Sequence, residues 1–154
     1  MPPGKKITLN KRDQVFLDSS FVVALIDAAD VHHQRSVQLL AKINQSNGEI
    51  FLSDLLVNEV LSVLAKRCES KGKQDMFPHL ASLVQQLMHQ YPILSLYELV
   101  PQNYPTLISM MVQCRGELNF HDCLIVLFLK ELPEVSLVTF DRDFETQKEI
   151  RLFS

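Results

Sequence analysis

A chain of 154 residues, 47% hydrophobic and 21% charged, has the composition of one globular domain with a substantial core. Its net charge of −3 speaks against a substrate held by bulk positive charge, though not against one held through a metal. Four glycines are few for a turn-dominated β-sandwich, and three scattered cysteines fit neither a disulfide framework nor a zinc site.

Residues 1–14 hold Pro2, Pro3, Gly4, Lys5, Lys6, Lys11 and Arg12, and are expected to form a flexible basic arm ahead of one domain over 15–154. No apolar run of signal-peptide length follows before Asp18. No segment suits a bilayer span, and the free cysteines suit a cytoplasmic protein. Val15, Phe16 and Leu17 form a first strand without alternation, the mark of a strand buried on both faces, and it ends on Asp18. Ser19 and Ser20 are expected to cap a helix through FVVALIDAAD, and His32 begins a second helix. The Asn47-Gly48 turn leads to a second strand, Ile50–Leu52. Ser53 then caps a long helix striped by Leu56, Val60, Val63 and Leu64, with Glu59 among its apolar residues.

A helix over 75–90 stops at Pro92, Ile93–Val100 alternates as a third strand, and Pro105 opens a helix that ends near Gly116. Asn119 caps the next helix, HDCLIVLFLKEL, whose apolar run Cys123–Leu129 predicts enclosure. Asp122 falls three residues after that cap, where first-turn amides favour a carboxylate. Leu137–Phe140 form a fourth strand that delivers Asp141, Arg142 and Asp143, and the C-terminal residues add a short edge strand. Strands alternating with helices predict an α/β fold, a short parallel sheet in a Rossmann-like three-layer arrangement with helices on both faces.

Open α/β sheets bind ligands at the carboxyl ends of their strands, and two strands here end on acids. Singly, each acid has an ordinary explanation: Asp18 as a cap, Glu59 as a boundary residue paired with Lys66, Asp122 as a first-turn acid, Asp141 and Asp143 as loop acids. Together they point to one pocket. Two carboxylates ~4 Å apart repel by ~4 kcal/mol at an effective dielectric near 20. That is comparable with the whole stability of a domain, ~5–15 kcal/mol, so four converging acids require a cation. All are hard oxygen donors, which selects Mg²⁺ or Mn²⁺ over zinc. Such a cluster suits phosphodiester hydrolysis. Lys66, Arg67 and Arg142 are candidate contacts to substrate phosphates, set against the plainer reading of a solvated face.

The order LDSSF at 17–21, NEVLSVL at 58–64, FHDCLIV at 120–126 and LVTFDRDF at 137–144 resembles a PIN domain of the VapC-type ribonuclease toxins. The motifs place Asp18, Glu59, Asp122 and Asp141 at spacings of 41, 63 and 19 residues. By that resemblance these four form the catalytic, metal-binding quartet, Asp143 is an accessory acid, and Thr139 orients the site. The family further implies an Mg²⁺- or Mn²⁺-dependent endoribonuclease, an RNA substrate, a homodimer and, for VapC-type members, a cognate antitoxin. Two features depart from the pattern: His121 stands where an aromatic residue such as tryptophan is expected, and the segment before Val15 is longer than in a minimal toxin.

Two rivals remain at this level. One is a non-catalytic PIN-like module that keeps the acids but works by binding protein or RNA; retention of all four acids speaks against it. The other is a different acid-rich α/β enzyme. An aspartyl-phosphate phosphatase wants a second acid two residues after Asp18, where this chain has Ser20, and a receiver domain wants a lysine where 139–144 offers acids.

Overall fold

The computed structural model describes residues 14–153, so the predicted basic arm, apart from Gln14, lies outside the described residues. Five strands form one sheet: β1 (Gln14–Leu17), β2 (Glu49–Ser53), β3 (Ile93–Leu94), β4 (Val135–Val138) and β5 (Arg151–Phe153). All neighbours are parallel, in the order β3-β2-β1-β4-β5. Six α-helices accompany them: α1 (Ser19–Ile26), α2 (His33–Gln45), α3 (Asp54–Ser70), α4 (Phe77–Gln90), α5 (Val100–Gln113) and α6 (Phe120–Lys130). The three-layer α/β architecture expected from the alternation is the one observed.

The unalternated first strand is the centre of the sheet. Val15 and Leu17 face a core built with α1, α2, α3 and α4, whereas Phe16 faces a second core with α5 and α6. A strand walled on both faces by helices is apolar at every position, which is why VFL carries no period of two. Helix α6 is enclosed as predicted, with Cys123, Leu124, Ile125, Val126 and Leu129 all buried. The chain runs from β1 outward to β2 and β3, then crosses back to place β4 on the other side of β1. The crevice of this fold therefore opens between the carboxyl ends of β1 and β4.

Several boundaries differ from the sequence expectation, each for a local reason. Helix α1 ends at Ile26 rather than Asp30, because the Asp27 carboxylate accepts the Ala29 amide (3.1 Å) and the Asp30 carboxylate accepts that of His32 (2.8 Å). These side-chain turns compete with helical bonding. The cap of α1 is Asp18, not Ser19 or Ser20. Ser53 occupies the cap position of α3 but makes no capping bond through its side chain. The predicted strand over Ile93–Val100 is cut to two residues. Beyond Leu94 the Asp54 carboxylate accepts the Ser95 hydroxyl (2.8 Å) and the amides of Leu96 (2.9 Å) and Tyr97 (3.4 Å), turning the chain into the 3₁₀ segment Tyr97–Leu99. Helix α5 consequently starts at Val100, with Pro101 in its first turn, where a missing N–H costs nothing; Pro105 lies inside it. Strand β4 ends at Val138, so Thr139 and Phe140 leave the sheet.

The three cysteines are free, with Cys68 and Cys123 buried. No helix among the described residues is long and apolar enough to cross a membrane.

Candidate active site

Asp18 leaves the end of β1 with its amide donating to the Val138 carbonyl of β4 (3.0 Å), which fixes it at the crevice. Its Oδ2 accepts the hydroxyls of Ser20 (2.6 Å) and Thr139 (2.8 Å) and, more weakly, the Ser20 amide (3.3 Å). Those hydroxyls are themselves oriented. Ser20 Oγ accepts the Phe140 amide (3.0 Å), and Thr139 Oγ1 accepts the Asp141 amide (3.0 Å). Each hydroxyl thus takes an amide proton from one side and gives its own to the carboxylate on the other.

Asp18 Oδ1 is different: it is buried and has no hydrogen-bond partner. A buried carboxylate oxygen left without a donor is costly, and such an atom demands an explanation. Burial raises the pKa of the group, the two hydroxyl bonds oppose that rise, and the charge on Glu59 adds to it.

Asp122 reaches the same cleft from the first turn of α6. Asn119 and Asp122 form a reciprocal capping box, Asn119 Oδ1 accepting the Asp122 amide and Asp122 Oδ2 accepting that of Asn119, both at 2.9 Å. The box presents the carboxylate at a fixed angle. Only 8% of Asp122 is exposed. Burial pushes its pKa up to about 7, against the Asn119 amide, with the charges of Asp18, Glu59 and Asp141 raising it further. Mutual repulsion among all four predicted acids is therefore felt at this one carboxyl.

Asp141 comes from the segment after β4, where its Oδ1 accepts the Asp143 amide (2.9 Å). Asp18, Asp122 and Asp141 line one cleft of about 360 Å³, together with Ser20, Asn119 and Phe140. Glu59 does not line it. It faces an adjoining groove of about 510 Å³, which shares Ser19, Val63 and Asn119 with the first, and its Oε1 meets His121 Nδ1 at 3.0 Å. The partner of Glu59 is thus His121 rather than Lys66. Asp143, Arg142 and Lys66 are exposed and line neither cleft. Arg67 borders the cleft, but one of its terminal nitrogens already bonds Asp27 (2.8 Å) and Asp30 (2.7 Å).

Ser20, expected only as a helix cap, is a site residue that bonds Asp18 and lines the cleft. The available signal was its position two residues after a strand-ending aspartate, where a hydroxyl can reach back to the carboxylate. Asn119 is legible in the sequence as a helix cap, and its place on the cleft wall depends on the tertiary fold.

Among the described residues, no three His, Cys, Asp or Glu side chains stand close enough to ligate one ion by themselves. The donor set nonetheless fits a hard divalent ion. It consists of oxygens alone, it includes the orphaned Oδ1 of Asp18, and Mg²⁺ characteristically takes one or two carboxylates and keeps several waters.

Fold and site define an α/β domain with acids gathered at the switch point of a parallel sheet. The family model described as PIN domain matches residues 15–149, and the chain belongs to the PIN domain family. Among solved structures, VapC20 of Mycobacterium tuberculosis, described as a sarcin-ricin loop cleaving toxin, is similar with a TM-score of 0.65 at 21% identity, over 89% of this chain and 98% of that one. VapBC2 of Rickettsia felis, solved bound to a DNA fragment from its promoter, gives 0.60 at 18% identity, over 90% of this chain and 96% of that one. These likenesses are of fold. No curated protein matches the chain.

Proposed function

We propose that this PIN domain is a metal-dependent endoribonuclease that hydrolyses RNA phosphodiester bonds. The observation that carries the reading is the buried, unpartnered Oδ1 of Asp18, in a cleft where Asp122 and Asp141 add negative charge that the fold alone leaves uncompensated. Asp18 and Asp122 would hold Mg²⁺ or Mn²⁺ together with waters, and Asp141, on the same cleft wall, would add charge nearby. When bound, the ion activates a water and neutralises charge developing on the phosphate. Thr139 and Ser20 keep the Asp18 carboxylate in one rotamer, and the Asn119 box does the same for Asp122. Glu59, bonded to His121 in the adjoining groove, would hold a second ion or orient the attacking water. Asp143 acts through its amide on Asp141. Arg142, Lys66 and Arg67 would contact the RNA backbone.

Likeness to VapC20 and VapBC2 supports RNA as substrate and an antitoxin protein as partner. A homodimer is supported by the exposed apolar residues Tyr104, Ile108 and Val112, one turn apart on α5. The deciding experiment is cleavage of total RNA by the purified chain, with Mg²⁺, Mn²⁺ or chelator. Expected is cutting that needs the ion and disappears in Asp18→Asn and Asp122→Asn, both still folded. A folded, metal-supplied protein that leaves RNA intact and shows no thermal response to either ion would overturn the reading. Light scattering tests the dimer, and co-purification with the product of the neighbouring reading frame tests the antitoxin.

A further inference from the structure

One wall of the acidic cleft is aromatic. Phe21 is fully buried, Phe140 stacks on it at 5.6 Å and 28°, and His32 stacks on Phe140 at 4.5 Å and 14°. The three rings lead from the core to the surface, and His32 is exposed. Since one face of the imidazole rests on Phe140, its exposure lies at its edge and its opposite face. The backbone that carries the ring is also fixed. Asp30 accepts the His32 amide through Oδ1 (2.8 Å), while its Oδ2 takes Arg67 (2.7 Å). Neighbouring His33 is committed differently, with Nδ1 against the Ala24 carbonyl at 2.8 Å.

The stack on Phe140 covers one face of the imidazole and leaves an exposed flat ring at the mouth of the cleft. Its position relative to the acids is informative. Phe140 lies in sequence between Thr139, which bonds Asp18, and Asp141, and both His32 and Phe140 line the same cleft as Asp18, Asp122 and Asp141. A polynucleotide with a phosphate at the acids would bring a neighbouring base to this wall. Unpaired bases are taken up by stacking on aromatic side chains, an interaction every base can make.

We propose that His32, backed by Phe140, is a stacking subsite for one unpaired nucleobase next to the phosphate held at the acidic cleft. The proposal rests on the ribonuclease reading for its substrate, but its test is a binding measurement. It implies a single-stranded or looped RNA as substrate, because a paired base cannot turn a face to the wall.

The test uses the full chain carrying Asp122→Asn, so that RNA stays intact, with single-stranded RNA hexamers bearing 2-aminopurine at one position at a time. Matched hexamers carry an abasic residue at that position. Expected is quenched fluorescence at one position. His32→Ala should abolish the quenching and weaken binding about 5- to 150-fold, and His32→Phe should restore both. The abasic hexamer should bind weakly and equally to the His32 and His32→Ala proteins. Unchanged binding by His32→Ala, an equal loss in His32→Phe, or tolerance of an abasic residue at every position would overturn the subsite. Stacking without cleavage by the chain bearing Asp122 would instead overturn the nuclease reading and leave the subsite standing. Cleavage that ignores His32→Ala would do the reverse, and a chain that binds no hexamer loses both.

Discussion

Thr139 donates its hydroxyl to Asp18 Oδ2 at 2.8 Å, across 121 residues of sequence. The bond ties the end of β4 to the end of β1 and leaves the other oxygen of Asp18 buried without a donor. One carboxylate oxygen thus serves the architecture, and the other is the one that the proposed function assigns to an ion.

Thr139→Val removes that donor and strands the Asp141 amide, which Thr139 Oγ1 now accepts. We expect a stability loss of ~1–3 kcal/mol in urea unfolding, with cleavage falling further than stability predicts because Asp18 is no longer held. Thr139→Ser keeps the hydroxyl and should stay close to the parent. A loss in Thr139→Ser that Thr139→Val does not share would show that the methyl group, not the bond, matters.

Asp122 gives a signed pH dependence. Its pKa in the fold is about 7, against an ordinary value of 3.8. The fold prefers the protonated form, so the stability this group contributes is fully present below 3.8 and is lost as pH rises through about 7. Thermal midpoints without divalent ions should therefore fall over that window. Mg²⁺ or Mn²⁺, which binds the charged form, should flatten the slope. A metal-free profile that rises from pH 4 to 7 in parent but not in Asp122→Asn protein would contradict this assignment.

Asp122→Asn removes the repelled charge yet keeps an oxygen for the Asn119 amide. The variant should melt at or above the temperature of the parent in chelator at pH 8, lose most of the stabilisation by Mn²⁺, and lose cleavage. Stability and activity would then move in opposite directions, as expected of a site whose charges serve function rather than folding.

Arg67 should behave with the opposite sign. Burial works to raise Asp27 and Asp30, but hydrogen bonds, including those from Arg67, outweigh it and hold both below the ordinary carboxylate value. Their contribution is present above pH 3.8 and fades as pH falls below it. Arg67→Met leaves two carboxylates without their shared cation, and a loss of ~1–2 kcal/mol at pH 7 is expected by urea unfolding, shrinking toward pH 3. An undiminished loss at pH 3 would rule out the charge as its cause.

Composition and local pattern were enough for the α/β class, because a strand enclosed on both faces must be apolar throughout and a surface helix must be striped. The unbroken VFL and the enclosed run of α6 carry that requirement directly in their residue types. The four acids were legible as candidates for the same reason, since carboxylates placed at strand ends and in a helix first turn have specific local roles. What the residues alone could not settle was which acids share a cleft. Asp18, Asp122 and Asp141 do, whereas Glu59 faces the next groove with His121. The early end of β3 at Leu94 likewise follows from Asp54, 41 residues before Ser95, accepting three donors there. Hydrophobic period is a local property and survives in a one-dimensional reading. Side-chain bonds between distant segments depend on how the layers pack, and only the folded chain decides them.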